Sequence, residues 1–385
     1  MKWKWLADAD DGRYTRGFII RVLLKAAVLF VLANLIFALA NPLPALGHIS
    51  IYGWLVPSRP RLPYGENSAQ AYNLSLNSID AMFATHDITR VKGTGEYRVL
   101  VVGDSSTWGI LLRPNETLTG VLNARNLESG DGKRMVFYNI GYPTMSLTKD
   151  LMLLDYAMQY QPDAILWPFT AQSFPRASQA ASPIVQNNAE TVRRLIDTYH
   201  LNLDAQDARF VTPTFWDHTL VGSRRPLADW LRLQLYGFAW ATTGIDQYYP
   251  DPYTPHTVDL IQDISWDDFK TPDSLAKSDL AFDVLAAGIQ RAGSIPVILV
   301  NEPMFISDGK NSDLRYNAFY PRWAYDAYHG WLLDTAAKNK WQLLDLWDSV
   351  DSAEFTDSPV HLTPKGVEQM SQRVIQSIVE LIGLH

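Results

Sequence analysis

The stretch Tyr97-Arg98-Val99-Leu100-Val101-Val102-Gly103-Asp104-Ser105-Ser106-Thr107-Trp108-Gly109 constrains this chain more than any other. A β-branched and apolar run stops abruptly at small and polar residues. Runs of that kind read as a strand buried on both faces, as in a parallel sheet. Gly103 permits a sharp turn, and Asp104, Ser105, Ser106 and Thr107 are all helix N-cap types. Open α/β sheets place their ligands where a strand turns into a helix start. A serine there sits beside free backbone N–H groups and the positive end of a helix dipole, which stabilise an anion. A capped βα loop without chemistry has the same sequence. The decision rests on whether a base lies elsewhere in the chain.

The residues around this stretch alternate strand and helix patterns. Strands are expected at 98–102, 135–140, 164–167, 295–300 and 341–346, and helices at 116–125, 146–161, 277–292, 322–339 and from Thr363-Pro364 to about 382. Ser146 is a candidate N-cap, and Pro364 suits the first helical position. Such alternation predicts βαβ units and one largely parallel sheet. Residues 174–275 break the rhythm and read as a Pro- and aromatic-rich insertion. Within it, 227–240 predicts an amphipathic helix, either a lid packed on the domain or a helix lying in a membrane interface.

Ahead of the domain, residues 1–17 read as a cytoplasmic tail and 18–40 as a transmembrane anchor. Arg21 and Lys25 would snorkel to the headgroups, and the basic flank places the N-terminus inside and the main domain outside. Ala38-Leu39-Ala40 also resembles a small-residue cleavage site, so a removed signal peptide is the competing reading. Residues 41–96, rich in Pro, Gly, Tyr and Asn, predict an extended stalk that packs on the main domain, with a short helix near 76–83; 97–385 form the main domain.

The 385 residues are 47% apolar and 19% charged, enough for a sizeable core. The net charge of −8 disfavours nucleic-acid binding. Absence of Cys removes thiol catalysis, disulfides and thiolate metal sites. The 8 His show no metal-ligand spacing, and neither metal nor cofactor is expected. A base for Ser105 is found in Phe355-Thr356-Asp357-Ser358-Pro359-Val360-His361-Leu362-Thr363-Pro364, just ahead of the last helix. Asn301-Glu302-Pro303 closes the fourth strand at the same sheet edge, where Asn301 and Glu302 would line a substrate pocket or cap the following loop. Asp104 with Glu302 is a conceivable carboxylate pair for glycosidic chemistry.

Taken together, Gly103-Asp104-Ser105, Asn139-Ile140-Gly141 and Asp357…His361 resemble, in that order, the motifs of the SGNH, or GDSL, hydrolase superfamily. The resemblance covers about residues 97–383 and implies a flavodoxin-like three-layer α/β/α sandwich. It implies Ser105 as nucleophile and His361 as general base, with the backbone N–H groups of Ser105 and Gly141 facing an oxyanion. Two departures stand out. The family's third motif carries an Asn, for which Gln172 in Phe169-Thr170-Ala171-Gln172-Ser173 is the nearest amide. The family's acid lies three residues before the histidine, where this chain has Ser358; Asp357 is one residue further off, up to about 3.5 Å in extended chain. The implied activity is that of an extracytoplasmic serine esterase or O-acyltransferase on acyl groups, as of a cell-envelope polymer, alongside an integral-membrane acyltransferase as partner. The alternative is an SGNH-fold subunit of a membrane complex whose site has degraded.

Overall fold

The computed structural model describes residues 15–65, 73–257 and 262–382. Most of the expected tail, including Lys2, Lys4 and Arg13, lies outside them. Helix α1 (Arg16–Ala40) is capped by Thr15, whose side chain accepts from the Phe18 N–H. Among the described residues it is the one helix long and apolar enough to cross a membrane.

The described residues of 41–96 fold into short helices rather than running extended throughout. They form α2 (Leu43–Gly47), α3 (Ile51–Leu55) and α4 (Ile79–Ala84), and pack against the sheet edge. Local capping explains the short helices: the Ser50 side chain accepts from the Gly53 N–H and that of Ser78 from the Ala81 N–H. Arg59, Arg61 and His86 are nearly inaccessible, and Arg61 pairs as an isolated bridge with Asn139. Burial pushes the His86 imidazole below its ordinary pKa. Nδ1 accepts from the Ile88 N–H, so the ring proton sits on Nε2 and is donated to the Asn139 carbonyl.

The main domain then follows the expected order: β1 (Glu96–Val101), α5 (Ser105–Trp108), α6 (Leu118–Ala124), β2 (Arg134–Asn139), α7 (Leu147–Ala157) and β3 (Ala164–Phe169). The insertion contributes α8 (Pro183–Gln186), α9 (Ala189–Tyr199) and α10 (Arg224–Thr243). The chain closes with α11 (Phe282–Ala292), β4 (Val297–Asn301), α12 (Arg322–Asn339), β5 (Gln342–Asp345) and α13 (Pro364–Ile382). All strands are parallel, in the order β2-β1-β3-β4-β5. That is the flavodoxin-like order, whose switch point lies between β1 and β3.

Successive side chains along each strand enter opposite layers. Leu100, Ile165, Trp167 and Leu299 pack with α7, α11 and α12 on one face. Val99, Val101, Leu166 and Val300 pack with α6 and α13 on the other. The result is an α/β/α sandwich, and it explains why the strands are continuous apolar runs.

Two of the differences in element boundaries have a clear local cause. Strand β3 passes through Pro168 to Phe169. The Val102 N–H donates to the Leu166 carbonyl, so even-numbered residues of β3 face β1; the donor Pro168 lacks would point where β1 has already turned away at Gly103. Helix α11 starts only at Phe282, because the Asp279 carboxylate caps a separate 3₁₀ turn, Lys277–Asp279, by accepting from the Ala276 N–H.

The insertion is tied to the domain by a buried ion pair. Arg61 donates through Nε and Nη2 to both oxygens of Asp246, at 2.8 and 2.6 Å. Its Nη1 donates to the Trp108, Gly109 and Leu112 carbonyls. Burial pushes Asp246 up, but the charge of Arg61 outweighs this and holds the carboxyl below its usual range. Asp246→Ala leaves that guanidinium buried without its counter-charge and is expected to cost about 3–5 kcal/mol. Urea unfolding of D246A and of an Arg61→Met/Asp246→Leu double variant checks this, the double variant being the less destabilised.

Candidate active site

Three loops at the carboxyl edge of the sheet build the site. After β1 the chain turns at Gly103, and Asp104 caps α5 by accepting from the Ser106 N–H at 3.0 Å. Ser105 thereby becomes the first helical residue, with its backbone N–H outside the helical ladder. A Cβ on Gly103 would lie 2.2 Å from Thr107 Oγ1 and 3.0 Å from the Pro168 carbonyl oxygen, so only glycine fits this approach to β3.

The loop before α13 supplies the other partners. Phe355 and Leu362 pair antiparallel, and the Thr356 N–H donates to the His361 carbonyl at 2.9 Å. The His361 N–H reaches back to the Ser358 carbonyl at 3.3 Å. Thr363 and Pro364 then start the helix, with Thr363 Oγ1 accepting from the Gly366 N–H. This tight turn, rather than extended chain, carries Asp357 to the imidazole across the extra residue. His361 Nε2 lies 2.8 Å from Ser105 Oγ, and His361 Nδ1 lies 2.9 Å from Asp357 Oδ1. Ser358 Oγ accepts from the Val360 N–H and takes no part in orienting the ring.

Ser105 is 9% exposed, while the Asp357 carboxylate is about half exposed. Burial raises Asp357, yet the hydrogen bond and charge of His361 outweigh it and hold the carboxyl below its usual value. Asp357 ionised, Nδ1 protonated and Nε2 free to accept from Ser105 Oγ is the arrangement that activates a hydroxyl as a nucleophile.

The expected oxyanion donors are placed differently. The Gly141 N–H donates to Asn139 Oδ1 at 3.0 Å. Gln172 Nε2 donates to both carboxylate oxygens of Asp267, at 2.9 and 3.0 Å, while its Oε1 accepts from Trp266 Nε1. Gln172 is thus drawn to the insertion by partners about 95 residues away. Its longer arm makes that reach possible. Of the three expected donors, only the Ser105 N–H has no acceptor among the described residues.

The two candidates at the end of β4 separate as well. Asn301 is buried and donates to Tyr325 Oη and Asp345 Oδ1, while accepting from Tyr328 Oη. It braces a second His–carboxylate pair, His329 with Asp345 at 2.6 Å, and does not line a pocket. Glu302 does. It borders a small cleft with Ser106, Thr107 and His361, backed by apolar Leu118 and Met370. Its Oε1 accepts from Ser106 Oγ and Thr107 Oγ1, and its Oε2 is buried without a partner among the described residues.

Sequence reasoning missed the polar layer beneath the serine. Asp104 Oδ2 accepts from Thr170 Oγ1, and buried Lys149 donates to the Gly103 carbonyl and pairs with Asp150. Desolvation pushes Asp150 up to about 6 despite Lys149. It also drives Glu302 well above the usual carboxylate range, helped by the charge of Asp104. A Lys–Asp neighbour pair on a helix gives no sequence signal of burial, since surface helices carry the same pair.

A carboxyl raised by folding binds its proton more tightly in the native state, so stability falls as pH rises above its unfolded value of 4.5. Glu302→Gln removes that penalty. Thermal midpoints from pH 4.5 to 8 are expected to fall more steeply for the natural chain than for E302Q; parallel curves would contradict the upward shift of Glu302.

Neither a family model nor a curated protein sequence matches the chain. Solved structures do. A member of the lipolytic protein G-D-S-L family from Veillonella parvula is 10% identical, covering 74% of this chain and 99% of its own, with TM-score 0.34. A carbohydrate acetylesterase family member from Sinorhizobium meliloti is 12% identical over 75% of this chain and all of its own, with TM-score 0.35. The lipase/acylhydrolase from Enterococcus faecalis is 13% identical over 75% and 97%, with TM-score 0.34.

Proposed function

We propose that this chain is a membrane-anchored serine esterase or O-acyltransferase acting on ester-linked acyl groups. The observation that carries the reading is the line Ser105 Oγ–His361 Nε2, 2.8 Å, and His361 Nδ1–Asp357 Oδ1, 2.9 Å, assembled from loops 256 residues apart in sequence. Ser105 Oγ attacks the ester carbonyl carbon while its proton passes to His361 Nε2. The C–O bond to the alcohol then breaks, and that proton leaves with the alcohol. Water gives hydrolysis and a hydroxyl acceptor gives acyl transfer: each loses a proton to His361 as it attacks the acyl-enzyme, the bond from the acyl carbon to Ser105 Oγ breaks, and His361 returns that proton to Oγ. Asp357 fixes the ring and stabilises the imidazolium. The Ser105 N–H is the donor available to the oxyanion.

Helix α1 supports the anchor. Its 25 residues span about 37 Å, sufficient for a bilayer core with some tilt. On this reading the basic flank faces the cytoplasm and the catalytic domain the outside, where acylated cell-envelope glycans or lipids are the substrates within reach and an integral-membrane acyltransferase a fitting partner.

A second reading has one observation in its favour. With Gly141 and Gln172 both engaged, one oxyanion donor remains, as in a degraded SGNH-fold subunit of a membrane complex. Hydrolysis of p-nitrophenyl acetate separates the two. The serine hydrolase reading expects turnover that Ser105→Ala reduces to background and that Asp357→Asn lowers about 10²–10⁴-fold, as loss of the correct tautomer does in triads. Equal rates for the natural chain and S105A would favour the second reading.

A further inference from the structure

We infer that helix α10, helix α3 and the loop before α10 form a lipid-embedded platform, seated in the leaflet where α1 ends. The inference rests on α1 being a retained anchor and adds a second membrane contact to it.

The decisive contact is inside α1. Asn34 is the polar interruption of its apolar stretch, and an amide in hydrocarbon must find partners. Its Nδ2 donates to the Phe30 carbonyl at 2.9 Å, and its Oδ1 accepts from the Val221 backbone N–H at 3.0 Å. Asn34 lies six residues before the helix end at Ala40, about 9 Å along the axis. If α1 crosses a bilayer, the loop carrying Val221 lies at that depth, within the 5–10 Å to which interfacial helices sink.

The side chains around this contact suit that depth. Phe215 and Trp216 precede Val221, and Trp216 is 72% exposed. On α10, Leu231, Leu235 and Phe238 recur at i, i+4 and i+7 as an exposed stripe beside the buried face of Leu233, Gln234 and Gly237. That buried face is fixed to the segment following the anchor: Gln234 Oε1 accepts from the Ile51 N–H at 2.7 Å, and a Cβ on Gly237 would lie 2.1 Å from the Tyr52 ring. Helix α3, so held, exposes Trp54 and Leu55 at 73% and 72%. Isolated exposed apolar residues need no explanation, but a contiguous set joined to a membrane-length helix does. Lipid is the occupant that continues the surroundings of α1. Arg224, Arg225 and Arg232 add exposed cations suited to headgroups.

The platform also has a mechanical consequence. Just past α10, Asp246 holds Arg61, and Gln247 Nε2 donates to the Gly109 and Leu112 carbonyls. The loop following Ser105 is therefore braced against the platform, which sets the height of the nucleophile above the bilayer.

The chain has no Cys, so single cysteines report cleanly. Full-length chains carrying Trp216→Cys, Leu235→Cys, Trp54→Cys, Leu29→Cys in the anchor or Val91→Cys on the exposed domain surface are labelled with an NBD fluorophore. They are reconstituted in phosphatidylcholine/phosphatidylglycerol vesicles with and without doxyl-labelled lipid. The platform predicts that labels at 216, 235, 54 and 29 lose most of their fluorescence to the doxyl lipid, while the label at 91 loses none. Labels at 216, 235 and 54 as unquenched as that at 91, with 29 still quenched, would overturn the platform and leave the anchor standing. Quenching at 216, 235 and 54 without quenching at 29 would remove the anchor and overturn the seating of the platform at its end.

Discussion

The site depends on one close approach. At Gly103 the backbone leaves β1 against the end of β3, with no room for a side chain between it, Thr107 and Pro168. That turn releases Asp104 to cap α5 and puts Ser105 at the first helical position. A second glycine continues the constraint: a Cβ on Gly141 would lie 2.8 Å from both Thr107 Cγ2 and the Trp108 nitrogen. The turn after β1 is thus pressed from two neighbouring strand ends. The parallel order β2-β1-β3-β4-β5 makes those ends adjacent, and the α/β/α burial of both faces makes the sheet rigid enough to hold them.

Beneath the serine the chain accepts an electrostatic cost. Asp104, Asp150 and Glu302 are all nearly inaccessible, and Lys149 is the cation buried among them. Two carboxylates in one dry patch cannot both ionise cheaply. Asp104 takes hydrogen bonds from the Ser106 N–H and Thr170 Oγ1, while burial and the charge of Asp104 push Glu302 towards its neutral form.

Much of this was legible in the sequence because it is local. Buried strands announce themselves as unbroken apolar runs, and Gly103, Ser146 and Thr363-Pro364 mark turns and caps by their own backbone preferences. The pairing of Ser105 with His361 followed from topology, since both lie at the carboxyl edge of parallel strands. What could not be read depends on distant partners. Gln172 looks like a free amide until Asp267 and Trp266 arrive from the insertion. Asn301 looks like a pocket residue until Tyr325, Tyr328 and Asp345 close around it. Residues 41–96 look like a stalk because their short helices rest on single serine caps and on buried arginines whose partners come from elsewhere.

The central claim is that His361 and Asp357 activate Ser105 and no other hydroxyl, although Ser106 is the next residue and lines the same cleft. A fluorophosphonate probe reacts with an activated serine, and peptide mass spectrometry locates the adduct. The account predicts phosphonylation of Ser105, abolished in Ser105→Ala and in His361→Ala but retained in Ser106→Ala. An adduct on Ser106, or none on a folded natural chain, would contradict it.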